Sequence, residues 1–360
     1  MYDVALLDLD GVVYVGPDAV PGAPAALAAA RAAGMRLAFV TNNAARPPHA
    51  VADHLTELGI AAKAAEVVTS AQAAARYLAD RLPGGARVLV VGTTGLEEAL
   101  RERGLVPVGD ADGQVDAVVQ GYSPDLNWRQ LAEGAGAITR GVLWVATNVD
   151  PTVPSPRGPL PGNGSLVAAL RHATGGEPVV TGKPDPTMHR ESLLRTRAER
   201  PIVVGDRLDT DIEGANAVGC ASMLVFSGVT TPREVLGAPP KLRPNYLAPD
   251  VGGLLATHPA PQPIDGGAVC GVWRAAWVES RGDSGRLTLQ RIAGTDADSS
   301  GAASAGGDDL DALRALCAAS WAVRSDGADV ANARVPVSPA SGGGSTDDPA
   351  AQVIARLGLA

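Results

Sequence analysis

Asp8-Leu9-Asp10-Gly11 sets two carboxylates two residues apart, directly after the apolar run Val4-Ala5-Leu6-Leu7. That run reads as a buried strand, and a strand's period of two turns both acids to the same side. Like charges so close are costly unless a cation sits between them. A hard divalent cation such as Mg²⁺ suits the place, because it takes oxygen ligands and shares itself between one or two carboxylates and a substrate phosphate. Taken alone, Asp-x-Asp-Gly at a strand end is more often a turn than a catalytic site. Three other clusters carry comparable chemistry: Thr41-Asn42-Asn43, Gly182-Lys183, and Asp206 with Asp211.

The elements that must position them alternate in type. An Ala-rich helix follows the first strand and stops at Gly34, where glycine can supply the left-handed cap. Met35 to Val40 is a second strand, ending at Thr41, and Pro47-Pro48 starts a helix carrying Val51, Leu55 and Leu58. Further on, Val179 to Gly182 ends in Lys183, Pro201 to Gly205 ends in Asp206, a helix carries Ile212, Ala215 and Val218, and Met223 to Phe226 adds a strand. Alternation of this kind predicts a parallel sheet covered by helices, with ligands gathered at the carboxyl ends of its strands. All four clusters fall at such ends.

Between these halves, residues 76–180 hold a second alternating set, with strands at Val88 to Val91, Asp116 to Gln120 and Val142 to Ala146 and helices around Leu96 to Arg103 and Trp128 to Thr139. Within it, the stretch from Asn148-Val149-Asp150 to Pro161-Gly162-Asn163-Gly164-Ser165 is a Pro/Gly-rich loop, read equally as a surface linker or as a substrate contact.

Composition excludes several classes. Aromatic residues are only 3% of the 360, so bases would find few stacking partners, and the formal charge of -9 lacks the clustered Lys and Arg that hold phosphate backbones. Nucleic acid is not an expected partner. Cys220, Cys270 and Cys317 form no Cys-x-x-Cys pair, which argues against structural zinc and a disulfide framework. Asp3, Asp8 and Asp10 interrupt the start where a signal peptide needs a basic, then apolar, stretch, and no run reaches transmembrane length. A cytoplasmic protein with no membrane partner is expected. Gly182-Lys183 is not a P-loop, since Glu177 and Pro184 stand where Gly and Ser/Thr are required, and the five histidines show no metal-binding pair.

The four clusters together resemble the haloacid dehalogenase (HAD) superfamily phosphatases. Asp8-x-Asp10-Gly-Val is similar to the nucleophile motif, Thr41-Asn42-Asn43 to the second, Gly182-Lys183-Pro184 to the third and Gly205-Asp206-x-x-x-Thr210-Asp211 to the fourth. The insertion resembles the α/β cap of the subgroup with nitrophenyl phosphatases, phosphoglycolate and glycerol-phosphate phosphatases and NagD-type nucleotidases. The resemblance implies an α/β fold: a Rossmann-like core with a parallel sheet (1–75 and 181–256), an inserted α/β cap (76–180), a linker (257–266) and a small C-terminal α+β module (267–360).

It also implies roles. Asp8 attacks phosphorus to form an aspartyl-phosphate and Asp10 is the acid/base. Thr41 and the Asn42 amide grip phosphoryl oxygens, and Lys183 neutralises phosphate and Asp8. Mg²⁺ is held by Asp8, the Asp10 carbonyl and Asp206, with Asp211 behind them. Asn148, Asp150, Gly162 and Asn163 belong to the cap's substrate loop. Asp209 is read equally as a turn or helix-capping residue and as a catalytic one.

After Pro259-Ala260-Pro261-Gln262-Pro263 the composition changes. Val272 to Val278 and Arg286 to Ile292 read as antiparallel strands and Leu310 to Val323 as an amphipathic helix, with residues 295–308 and 338–348 small and polar. Trp273, Trp277 and Trp321 are expected to form this module's core. Domain order resembles glycerol 3-phosphate phosphatases that carry an acetyltransferase-like (GNAT-like) module, but the loop Arg324 to Asp329 ends in an acid that would repel pyrophosphate, so no acetyl transfer is expected.

The expectation is a Mg²⁺-dependent phosphomonoesterase for a small-molecule phosphate ester, glycerol 3-phosphate first, with room for a homo-oligomer. Phosphoglycolate or nucleotide monophosphates are the alternatives within enzymes, and a non-catalytic scaffold on a phosphatase fold is the alternative outside them.

Overall fold

The computed structural model describes residues 2–153, 157–280, 283–292, 305–323, 335–341 and 348–360. They fall into two compact units, Met1–Val204 with Gly214–Ala221, and Gly205–Glu213 with Ser222–Ala360.

The first unit holds two parallel arrays. In one, Pro201–Gly205, Val4–Leu7, Arg36–Thr41 and Val67–Thr69 lie side by side in that order, with Leu6 opposite Val203 on one flank and Ala38 on the other. Val4–Leu7 is buried along its whole length, as a strand covered on both faces must be, and this explains its unbroken apolar run. The helix Ala23–Ala32 closes with Gly34 at φ 89°, a conformation that favours glycine, and Gly34 N donates to Arg31 O.

The second array orders Val179–Val180, Leu143–Ala146, Ala117–Gln120, Arg87–Val91 and Val106–Val108, all parallel. One face is packed by the helix Trp128–Thr139 through Ala137 and Ile138 and by Asn163–Thr174 through Val167 and Leu170. The other takes Leu96, Ala99 and Leu100 of Thr94–Glu102 and Ala71, Ala74, Ala75 and Leu78 of Ser70–Ala79. That last helix starts at a reciprocal cap, with Thr69 Oγ1 accepting from Gln72 N and Gln72 Oε1 from Thr69 N. The boundary expected at residue 76 therefore falls inside a helix whose alanines already pack on the inserted sheet.

Glu191, 2% exposed on the helix Pro186–Thr196, is compensated by three arginines: Arg103 at 2.8 Å, Arg195 at 2.6 Å and Arg76 at 3.3 Å. Buried carboxylates persist only when paired in this way.

In the second unit, Ala221–Val225 runs parallel to Tyr246–Ala248. Leu208–Ile212 forms a wide π-helical turn ahead of the short helix Glu213–Ala217, which holds Ala215 of the predicted helix. The C-terminal sheet is mixed: Gln262–Ile264, Gly267–Cys270, Trp273–Ser280 and Asp283–Arg291 are successively antiparallel, and Val337–Pro339 adds in parallel to Asp283–Arg291. The helix Ala305–Val323 contributes Leu313, Leu316 and Cys317 to one core with Trp273, Leu287 and Leu289, and Trp277 and Trp321 pack against it.

The stretch expected as a linker to residue 266 corrects here, because Gln262–Ile264 is already the sheet's edge strand. Pro263 fits an edge, where its missing N–H interrupts no ladder. Residues 295–304, the loop 324–329 and residues 342–347 lie outside the described residues. All three cysteines are free, and among the described residues no helix is long and apolar enough to cross a membrane.

Candidate active site

The strand Val4–Leu7 releases Asp8 at its carboxyl end, where Asp8 N donates to Val204 O at 2.9 Å. Lys183 Nζ lies 2.5 Å from Asp8 Oδ1, with the lysine 4% and the aspartate 14% exposed. A charge-assisted bond so sheltered from water is strong and fixes both groups. The chain then turns at Gly11, φ 84°, whose N–H donates to Tyr14 O.

Asp10 keeps an opening to solvent, yet desolvation by the surrounding protein raises its carboxyl above the usual Asp value against lowering pulls from Lys183, Arg46 and His54. Tyr14, its ring edge-on to His54 at 5.4 Å, is pushed up as well, by burial first and then by the charges of Asp10 and Asp8.

Arg36–Thr41 delivers Thr41, 3% exposed, whose Oγ1 accepts from Asn43 N at 3.1 Å. Asn42 does more than its backbone suggests. Its Oδ1 accepts from Lys183 N at 2.8 Å while its Nδ2 donates to Lys183 O and to Asp150 Oδ2, both at 3.2 Å. Its carbonyl accepts from Ser70 Oγ at 2.6 Å and from Asn148 Nδ2 at 2.8 Å.

The predicted substrate loop is thereby tied to the Thr41-Asn42 step. Asn148 and Asn163, 4% and 1% exposed, face inward: Asn163 Nδ2 donates to Asn148 O at 2.7 Å, and Asn148 Oδ1 accepts from Asp150 N at 3.2 Å. At Gly162 an added Cβ would lie 2.4 Å from Asp150 O, so only glycine permits the approach.

Asp206 and Asp211, each 1% exposed, follow the strand Pro201–Gly205. Asp206 Oδ2 accepts from Val229 N at 2.7 Å and Asp211 Oδ2 from Arg207 N at 3.2 Å. Asp209 turns outward instead, where Arg207 grips both its oxygens and holds its carboxyl below the ordinary range. Asp206 and Asp211 set two buried carboxylates on one short stretch of chain, an all-oxygen donor pair that fits a hard divalent cation.

A family model described as haloacid dehalogenase-like hydrolase matches residues 5–106, and one described as HAD-hydrolase-like matches 180–254. The D-glycerol 3-phosphate phosphatase of Mycobacterium tuberculosis is 50% identical over 279 residues, 74% of this chain and 78% of that protein. The chain belongs to the haloacid dehalogenase-like phosphatases. As such it is a phosphoric monoester hydrolase.

This phosphatase is also 36% identical over 257 residues to an acid sugar phosphatase of Staphylococcus aureus, covering 71% of the chain and 97% of the relative. Among solved structures, a glycerol phosphate phosphatase from Mycobacterium tuberculosis crystallised with magnesium matches at a TM-score of 0.84 and 40% identity, over 100% of this chain and 98% of that one. A p-nitrophenyl phosphatase from Archaeoglobus fulgidus matches at 0.64 and 31%, over 70% and 98%.

Sequence reasoning missed Ser70, Tyr14 and the side-chain work of Asn42. Only Thr69-Ser70-Ala71-Gln72, a helix-start pattern, signals one of them in advance.

Proposed function

We propose that this phosphatase hydrolyses glycerol 3-phosphate to glycerol and phosphate with Mg²⁺, through a phosphoryl group carried on Asp8. The observation that carries the chemistry is the Lys183–Asp8 contact of 2.5 Å at the carboxyl end of the strand Val4–Leu7. The substrate rests on the 50% identity to a D-glycerol 3-phosphate phosphatase.

Asp8, the Asp10 carbonyl and Asp206 would hold the ion, with Asp211 orienting them. When bound, Mg²⁺ supplies the positive charge that lets an anionic ester approach an anionic nucleophile. Lys183 shares that task at the same carboxylate. The Asp8 oxygen forms its bond to phosphorus as the bond to the glycerol oxygen breaks, and Asp10 delivers a proton to that leaving oxygen. A raised carboxyl suits a group that must carry a proton to this point. In the second half, Asp10 takes a proton back from the water that attacks phosphorus, and Asp8 leaves as carboxylate. Thr41 and the Asn42 amide grip the phosphoryl oxygens.

The architecture we assign to this chemistry is a core from residues 1–75 and 181–256, a cap from 76–180 entered through the helix Ser70–Ala79, and a C-terminal module of GNAT-like order, without acyl transfer, whose sheet begins at Gln262. In this reading the cap supplies the substrate loop that carries Asn148, Asp150, Gly162 and Asn163. Cytoplasmic residence and homo-oligomerisation complete the reading; ultracentrifugation tests the second.

Phosphate release from a panel of glycerol 3-phosphate, phosphoglycolate, hexose phosphates and nucleoside monophosphates, with and without EDTA, tests this function. Glycerol 3-phosphate leads the panel, and EDTA abolishes release until Mg²⁺ is returned in excess. Metal-indifferent turnover overturns the mechanism, and a different leading ester overturns the substrate.

A further inference from the structure

Lys183 must point one amine at Asp8 and at an incoming phosphoryl group, and a long flexible side chain does so reproducibly only if its backbone is fixed. The Asn42 carboxamide fixes it as a neighbouring strand would, accepting from Lys183 N at 2.8 Å and donating to Lys183 O at 3.2 Å. A carboxamide can be turned end for end, and the wrong way round its NH₂ would face the Lys183 N–H. Asp150 Oδ2, 3.2 Å from the same Nδ2, accepts the second amide hydrogen and makes the correct orientation the one with every donor matched. The Asn42 carbonyl is saturated too, by Ser70 Oγ and Asn148 Nδ2, and Asn163 braces Asn148 from behind. Gly182 completes the fit, since a Cβ there would lie 2.1 Å from Thr147 O and 2.8 Å from Asn42 Oδ1.

We infer that Asp150 is a positioning residue for the phosphoryl end of the reaction, acting through Asn42 to set the Lys183 backbone, and not a contact to the leaving group. The loop that carries Asp150 then reports its seating directly to the group that binds phosphate. Esters whose leaving groups seat the loop poorly meet a misplaced lysine, so selectivity is exerted partly on the chemical step. This inference rests on the phosphatase reading above and assigns the carboxylate a task that reading leaves open.

The test compares wild type, D150A and D150N on glycerol 3-phosphate and on p-nitrophenyl phosphate, two esters that share a phosphoryl group and nothing else. If Asp150 works through Lys183, D150A lowers kcat by about 10- to 100-fold on both esters alike, the scale expected of a misplaced catalytic group. D150N, which keeps an acceptor oxygen but loses the charge, recovers most of that loss. A loss confined to glycerol 3-phosphate, a loss that D150N shares in full, or no loss at all overturns the inference. Calorimetric affinity for inorganic phosphate in Mg²⁺ reads the same chain without turnover: D150A weakens it and D150N restores it, whereas unchanged affinity in D150A contradicts the assignment. Wild type that binds phosphate but hydrolyses neither ester counts against the phosphatase reading instead. Equal melting temperatures for the three proteins separate positioning from unfolding.

Discussion

The surroundings of Asp8 and the C-terminal sheet are both buried, but they are buried for opposite reasons. Around Asp8 the interior is polar, and Lys183, Thr41, Asn148 and Asn163 are each under 5% exposed with partners at hydrogen-bond distance. In the C-terminal sheet the interior is Trp273, Leu287, Leu289, Leu313 and Leu316, which ask only for volume to be filled. Polar burial demands a specific partner for each atom and gives orientation; apolar burial tolerates repacking and gives stability. The first region is therefore where a single atom matters, and the second is where a missing side chain matters.

Substitutions that separate orientation from volume sharpen that contrast. The largest effect is expected at Lys183: K183A removes a buried cation from the half-buried Asp8 carboxylate, and kcat on any ester falls by about 10²- to 10³-fold, read by steady-state phosphate release. In the apolar region, W273A leaves a large cavity and costs about 3–5 kcal/mol in chemical denaturation. Where the variant remains folded, its affinity for inorganic phosphate stays at the wild-type value. A W273A protein that is fully stable but cannot bind phosphate would collapse the distinction.

The two regions also differ in how legible they are in the sequence. Strand-end acids, the Thr-Asn step and the lysine declare themselves because parallel strands are unbroken apolar runs and their carboxyl ends fall where the runs stop. Val67–Thr69 with the helix behind it is hidden, since three residues followed by Ala-rich sequence offer no periodicity to read. Val337–Pro339 is hidden for a different reason: its partner strand, Asp283–Arg291, lies far away in the chain, and pairing of that kind leaves no local mark. The π-helical turn at Leu208–Ile212 is equally silent. Within the site, residue types were readable and directions were not. Asn148 and Asn163 sit in the loop that sequence assigns to substrate, but their amides face inward, a choice set by which backbone groups need partners once the chain has folded.

Smaller effects extend the comparison. N148A strips one donor from the Asn42 carbonyl and leaves Asp150 N without its acceptor, so it costs about 1–3 kcal/mol and speeds amide exchange in residues 148–153 first. The smallest effect belongs to the surface. At Glu66 burial alone would raise the carboxyl, but hydrogen bonds from Arg31 and from Lys63 N outweigh it and leave it lowered.

A lowered carboxyl contributes stability above its unfolded value, about 4.3, and loses it as pH falls through the lower folded value. Melting curves of wild type and E66Q should thus converge as the pH is taken down through that range. Above it they differ by less than about 1 kcal/mol, as expected for a partly exposed pair. A gap that widens in acid would contradict the sign.

The central claim is that Asp8 carries the phosphoryl group while Lys183 holds it in place. Acid quench of enzyme turning over glycerol 3-phosphate in Mg²⁺, followed by peptide mass spectrometry, tests this most directly. The account predicts phosphoryl mass on the peptide containing Asp8, absent from D8N and from enzyme treated with EDTA. Phosphoryl mass on another residue, or turnover by D8N at the wild-type rate, would contradict it.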